Sequence, residues 1–516
     1  MASPNKKLAE SLEVLRLHQK EKGSVIKTSE LSRTHRERLL KGGFIQEVIQ
    51  GWYIVSPPDN KKGDSTIWYS SYWEFCARYL NDLFKNDWWI SADQSLLFHS
   101  GNLTIPKQLF VRSPKATNKL TKLIYETSIL RVNSSLPDNV EIVVKDGLRL
   151  YSLPGALINC GERFFLQNST DVRTVLAMIQ DSSEILQPLL AGGHSVIAGR
   201  LAGGFRNIGR KRIAIDILKT MQEAGYNVRE TDPFKDEVNY EFTRREISPQ
   251  VNRVKIIWNE MRLTVLKHFP EPKGLPKNIN KYLKQVDDIF VTDAYHSLSI
   301  EGYKVTAELI EKVRSGKWNP EQNEKDKEHR NAMAAKGYWQ AFQSVKKSIG
   351  TILKGENSGK VADEDHRDWY RKMFGPSVEA GILKASDLAG YRNSQVYIRN
   401  SSHIPMKPEA LRDVIPEFFE LLINEKEPAV RVVLGHFMFV YIHPYMDGNG
   451  RIGRFLMNTM LASGGYPWTV IPLNEREEYM SALEAGSVNK NIEPFSRFLS
   501  KLVKAGLNGK PVAKRL

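Results

Sequence analysis

Apolar residues recur at helical spacing near the start of the chain. Leu8, Leu12, Leu15 and Leu17 lie on or near one face of residues 6–21, which predicts an amphipathic helix. A second helix is expected around Thr28–Leu31. A polar, basic stretch from Arg33 to Lys41 reads as a third, stopped by Gly42-Gly43. Two short strand-like runs follow, Phe44-Ile45 and Trp52–Val55, with Gln50-Gly51 between them and Pro57-Pro58 closing the unit. Helix, helix, basic helix and hairpin is the order of a winged helix-turn-helix. Residues 64–228 alternate more irregularly. Strand-like runs stand at 108–112, 130–132 and 140–144, and helical patterns at 171–179 and 211–224. Residues 229–250 are charged, poor in apolar side chains and bracketed by prolines, so they read as a linker. From 251 to about 505 the pattern is almost wholly helical, with Trp258, Met261, Val265 and Phe269 on one face. One β-like run, Ser394–Arg399, interrupts it.

The expected architecture is therefore multidomain. A winged helix-turn-helix spans 1–60 and a mixed α/β module 61–230. Linker and leading helices occupy 231–288, and an all-α domain with a β-hairpin occupies 289–505. A chain of 516 residues has room for several cores. Hydrophobic residues at 41% and charged residues at 26% describe a globular protein and exclude a wholly disordered one. There is no apolar run long enough to cross a membrane and no signal-like start, so a cytoplasmic protein without a membrane partner is expected. Two cysteines, Cys76 and Cys160, without metal-ligand spacing exclude a disulfide framework or zinc finger. The formal net charge of +15 suits a phosphate-bearing partner, nucleic acid or nucleotide, and equally a basic surface kept for solubility.

The chemistry concentrates in His443-Pro-Tyr-Met-Asp-Gly-Asn-Gly-Arg-Ile-Gly-Arg454, which lies between two apolar helical runs. Gly448, Asn449 and Gly450 can adopt backbone conformations that turn successive N–H groups toward one anion. The next helix is expected to start near Arg451 and to aim its positive end at the same point. Arg451 and Arg454, three apart, share a helix face. Asp447 offers a hard carboxylate for Mg²⁺. His443 is the nearby group able to take a proton near neutral pH. Anion cradle, cation clamp, metal and base are the parts of phosphoryl-type transfer.

This stretch fits the pattern HPxxDGNGRxxR and resembles the signature of the Fic family, with Tyr445 where phenylalanine is usual. The resemblance covers about 290–505 and implies a helical domain that moves AMP from ATP to a Ser, Thr or Tyr hydroxyl of a target protein or of itself. It assigns His443 as general base and Asp447 as Mg²⁺ ligand. It places Gly448, Asn449, Gly450, Arg451, Ile452, Gly453 and Arg454 around the phosphates. Ser297-Leu-Ser-Ile-Glu301-Gly resembles the family's inhibitory helix, which implies that Glu301 pairs with Arg454, with Ser297 on the same face. Gly390–Asn400 resembles the family's flap, a short hairpin at the site that holds the target. Val396, Tyr397, Ile398 and Arg399 are its candidate contacts. Tyr479 would be an aromatic wall for adenine, and Ser487 stands where relatives often carry Asn. His436 and His403 read as structural histidines.

The basic helix carries Arg33, His35, Arg36, Arg38 and Lys41, which could enter a DNA major groove while the hairpin touches backbone. Many such modules instead bind protein or dimerise. Together with Leu148–Ala156 and 197–222, this half resembles the AbiEi-type antitoxins of bacterial toxin–antitoxin systems. Arg200, Arg206, Arg210, Lys211 and Arg212 form a further basic cluster. The leading reading is a protein adenylyltransferase held down by Glu301, using ATP and Mg²⁺. One alternative is a DNA-binding regulator whose C-terminal domain senses nucleotide or modifies itself. The other is an enzyme that removes AMP or transfers a different phosphoryl-containing group. A target protein, DNA and a second copy of the chain are the candidate partners.

Overall fold

The computed structural model describes residues 4–59, 63–135, 141–234, 248–318, 326–384, 388 and 390–513. Residues 235–247 of the expected linker lie outside them. The chain divides into two compact units. One comprises Met1–Arg253 with Tyr397–Ile404, the other Val254–Val396 with Pro405–Leu516.

The first unit opens with a helix, Pro4–Lys22, then β1 (Val25–Lys27), a single 3-10 turn at Thr28–Glu30 and the basic helix Arg33–Lys41. β2 (Ile45–Ile49) and β3 (Trp52–Val55) complete an antiparallel sheet in the order β1-β3-β2. The second helix of the expected triplet is thus one turn, because Val25–Lys27 are drawn into pairing with β3. Ser32 caps the basic helix through the His35 N–H. Leu15, Ile26, Leu31, Leu39, Ile45 and Tyr53 form a small core beneath it.

An aromatic helix, Thr66–Phe84, buries Trp68, Tyr72, Phe75 and Cys76. After it come β4 (Trp89–Ile90), β5 (Gln108–Ser113), β6 (Lys119–Lys122) and β7 (Ser128–Asn133), in the order β4-β5-β7-β6 with β5 and β7 parallel. β8 (Ile142–Lys145) and β9 (Leu148–Tyr151) form a hairpin across Asp146-Gly147, both at positive φ, as a two-residue turn requires. The expected helices at 171–179 and 211–224 appear as Ser169–Met178 and Lys211–Glu223. Both cysteines are free and buried, and burial pushes their thiols up.

The regular secondary structure among the second unit's described residues is all helical. Its helices include Ile279–Ile300, Asp326–Ile352, Ser358–Glu379, Leu411–Asn424, Pro428–Ile442, Asn449–Ser463 and Arg476–Asn489. Tyr338, Phe342, Phe455 and Trp468 interlock in its core, with ring centroids 4.8–6.5 Å apart. No described residue of this unit is in a strand, which corrects the expected β-hairpin flap. Side-chain donors do the bridging there. Gln395 reaches the Pro405 carbonyl at 2.7 Å, and Arg392 reaches those of Ser394 and Met406. The tip of the loop, Tyr397–Ile404, belongs to the first unit.

Candidate active site

The helix Pro428–Ile442 is apolar on nearly every face and is buried almost throughout. It ends at His443, which takes a left-handed conformation (φ 55°, ψ 61°). Pro444 follows and disfavours a further helical turn at His443. The ring Nδ1 lies 3.1 Å from the Val440 carbonyl. A carbonyl only accepts, so Nδ1 carries the proton and Nε2 keeps its lone pair. Burial lowers the pKa of His443 to about 4. The Arg392 charge lowers it further, while the Val440 carbonyl, Glu301 and Asp447 oppose.

The loop is closed by its own side chains. Asn449 Oδ1 accepts the Tyr445 N–H at 2.9 Å, and its Nδ2 donates to the Tyr445 carbonyl at 2.8 Å. Asn449 therefore latches the loop, whereas a phosphate contact was expected of it. Tyr445 fills the core side, its ring 3.9 Å from that of Tyr370 and nearly parallel. The next helix starts at Asn449, two residues earlier than expected, with Gly448 (φ 84°) as its cap. Of the loop glycines only Gly448 has positive φ. The amides of Asn449, Gly450 and Arg451 have no carbonyl within the helix to bond, so they form its open positive end. Ile452 already donates to the Gly448 carbonyl at 2.9 Å. A Cβ at Gly453 would sit 3.0 Å from the His436 ring. Both are packing positions, a correction to their expected place around the phosphates.

The two arginines are buried and separately held. Arg454 donates to Ser297 Oγ (2.8 Å), the Ser297 carbonyl (2.9 Å) and Glu301 Oε1 (2.8 Å). Burial alone would lower its pKa, but Glu301 and the nearby Tyr479 and Tyr338 outweigh burial and raise it. Arg451 donates to Asp447 Oδ2 at 3.1 Å and lies 5.1 and 4.9 Å from the rings of Tyr303 and Phe374. The Glu301 carboxylate covers the helix start: a Cβ at Gly450 would come within 2.3 Å of Glu301 Oε1. A cavity of about 440 Å³ opens beside it, lined by Glu301, Tyr303, Lys304, Arg330, Asn331 and Asp447.

Beneath Arg454 lies an unexpected acid. Asp293 is buried, accepts from Tyr338 (2.7 Å) and Trp468 (3.0 Å), and is raised to about 6 by burial, against those bonds and the Arg454 charge. Its spacing offered a signal, since Asp293, Ser297 and Glu301 follow at intervals of four. Arg392 stands inside Gly390–Asn400, but no spacing in the sequence marks it as part of the site.

Other candidates are placed differently from expectation. Tyr479 is buried, bonded to His436 at 2.7 Å and packed on Phe495 and Phe498, so its ring is core and not a surface for adenine. Ser487 is likewise buried. Val396 is buried in the second unit. Tyr397, Ile398 and Arg399 belong to the first, where Tyr397 packs into the aromatic core and Arg399 pairs with Asp64 at 3.0 Å. In the basic helix, His35 bonds Ser11, Arg36 reaches the Thr28 carbonyl and Arg38 the Lys7 carbonyl. Only Arg33 and Lys41 of the five are exposed, because the other three face neighbouring backbone or the first helix. Among the further basic residues, Arg206 pairs with Glu230 and Arg210 with the Ala177 carbonyl.

Residues 363–461 match the Fic/DOC family. They form a Fic domain. The chain is similar to the protein adenylyltransferase Fic of Nematostella vectensis, at 28% identity over 225 residues, 42% of this chain and 48% of the relative. It is also similar to that of Aedes aegypti, at 28% over 229 residues, 43% and 42% of the two chains. A solved structure, Fic-1 from C. elegans, aligns with 66% of this chain and 90% of its own at 17% identity and a TM-score of 0.36. The chain spans about half the length of the curated relatives it matches. No helix among the described residues is long and apolar enough to cross a membrane.

Proposed function

We propose that this chain is a protein adenylyltransferase whose resting site is closed by Glu301. One observation carries the reading: the Glu301 carboxylate lies on Arg454 and against Gly450, where an outer phosphate of ATP would need to be. A carboxylate and a phosphate compete for the same charge-assisted donors. In the reaction, His443 Nε2 takes the proton of a target Ser, Thr or Tyr hydroxyl. The oxygen attacks the α-phosphorus of ATP in line, an O–P bond forms, and the bond to pyrophosphate breaks. The amides of Asn449, Gly450 and Arg451 and the helix dipole face the charge that develops.

Asp447 is the residue that would hold Mg²⁺. Its side chain is 64% exposed, which fits a cation that takes one or two carboxylates beside substrate phosphates. Bound there, Mg²⁺ supplies charge neutralisation. Among the described residues no group of three or more His, Cys, Asp or Glu forms a ready-made metal cage.

Intact-mass spectrometry after incubation with ATP and Mg²⁺ tests the proposal on the wild type, Glu301→Gly and Glu301→Gly/His443→Ala. Addition of one AMP, stronger in Glu301→Gly and absent from the double variant, is expected. Loss of AMP from a modified substrate would instead support the removing enzyme. A DNA-binding role for the first unit is a second reading. The order of its elements and the exposed Arg33 and Lys41 favour it. Salt-dependent binding to promoter DNA that survives His443→Ala would support it.

A further inference from the structure

Arg392 is 3% exposed, and its guanidinium bonds backbone carbonyls in three separate stretches of chain. Nε donates to the His443 carbonyl at 2.8 Å, one terminal nitrogen to Ser394 at 3.1 Å and the other to Met406. Its own backbone N–H donates to the Pro444 carbonyl at 2.9 Å. One residue thus fixes two successive carbonyls, those of His443 and Pro444. It also ties both arms of the flap, 392–396 and 405–406, to the same point.

His443 needs such a hold. A non-glycine residue in the left-handed region costs about 1–2 kcal/mol and persists only when its surroundings impose it. Its N–H and Nδ1 are fixed by the preceding helix at Phe439 and Val440. Its carbonyl, which sets ψ and hence the exit of the loop, is fixed by Arg392. Burial lowers the Arg392 pKa only to about 10, with Glu409 opposing, so the group remains a cation at neutral pH. A planar fork with donors on three nitrogens suits three carbonyls in different directions, and a lysine nitrogen does not.

Resting on the reading of His443 as base, we infer that Arg392 is its positioning residue, clamping the His443–Pro444 backbone and the flap arms so that Nε2 faces the incoming hydroxyl. Arg392 touches no reacting atom, so its loss lowers turnover and spares nucleotide binding.

The test uses the full chain in the Glu301→Gly background. Arg392→Ala is expected to lower kcat for self-modification about 100-fold, the scale of an ångström of misplacement. Its Kd for Mg·ATP by calorimetry stays within about twofold, a change below 0.5 kcal/mol. Added guanidinium restores part of kcat, and Arg392→Lys falls between the two. An unchanged kcat, or parallel loss of ATP binding and kcat, overturns the inference. A second readout needs no transfer. In histidine-labelled protein, the His443 ring signals, assigned by their loss in His443→Ala, should broaden in Arg392→Ala and Arg392→Lys. In Arg392→Ala the ring should also titrate at higher pH as the cation leaves, with Asp447 still facing it. Unchanged ring signals overturn the inference whatever the transfer assay gives. If the Glu301→Gly parent transfers nothing while the ring responds, the positioning role stands and the adenylyltransferase reading falls.

Discussion

The basic helix of the first unit and the motif helix of the second each carry an arginine four residues from a carboxylate. Arg33 and Glu37 meet at 2.7 Å, and Asp447 and Arg451 at 3.1 Å. By distance the first pair is the closer. Yet Arg33 is 84% exposed, while Arg451 is 2% exposed between two aromatic rings. Water screens the first pair, and holding two long side chains together offsets most of what remains. The second arginine is desolvated and fixed, with only its carboxylate left to solvent. Separation therefore says little about importance. Burial of the cation and exposure of its partner make a group that can exchange one anion for another.

Substitutions can break or sharpen this contrast. The largest effect is expected from His443→Ala, which should cut AMP transfer by about 10²–10⁴-fold in the Glu301→Gly background, read by intact mass. In the same assay, kcat/KM should rise with pH through about 4, since burial holds the His443 pKa there and the base must be neutral. An acid limb near 6–7 would mean a solvated histidine. Next comes Glu301→Gly itself. Removing one charge-assisted competitor at Arg454 should raise ATP affinity and transfer by roughly 10–100-fold. Equal ATP affinity in the two proteins would sink the inhibitory role. Arg451→Ala should follow, destabilising the chain by about 2 kcal/mol in a denaturant melt, through lost ring contacts and packing. The smallest effect belongs to Arg33→Ala, for which no resolvable shift of the melt is expected. A comparable loss in the last two would erase the distinction.

The contrast also marks what the sequence could disclose. The 443–454 loop was legible because its chemistry is local: a helix end, a glycine cap, a carboxylate and two arginines within twelve residues. Glu301 was legible through resemblance, since no spacing rule joins it to Arg454 across 153 positions. Ile452 and Gly453 look like anion contacts by neighbourhood, but one helical bond and one His436 ring give them other work. Tyr479 was misread because an aromatic residue near a site can face either way, and its hydroxyl found His436. Alternation at 394–399 suggested a strand. Whether a backbone pairs depends on what stands beside it, and there Arg392 and Gln395 had taken the carbonyls. The basic helix shows the same limit, since charge count does not reveal that Arg36 and Arg38 reach backbone carbonyls.

The missing side chain at Gly450 has a consequence for how this protein can change. The same empty volume admits the Glu301 carboxylate at rest and, in the proposed reaction, a phosphate. A methyl group there would crowd out both, since its carbon would lie 2.3 Å from Glu301 Oε1 and 3.2 Å from an Arg454 nitrogen. On the proposed reading, position 450 therefore offers no way to loosen the hold of Glu301 while keeping room for ATP. Variants that tune resting activity must act from the Glu301 side, by shortening, tilting or unwinding its helix end, while the loop that receives either anion stays as it is.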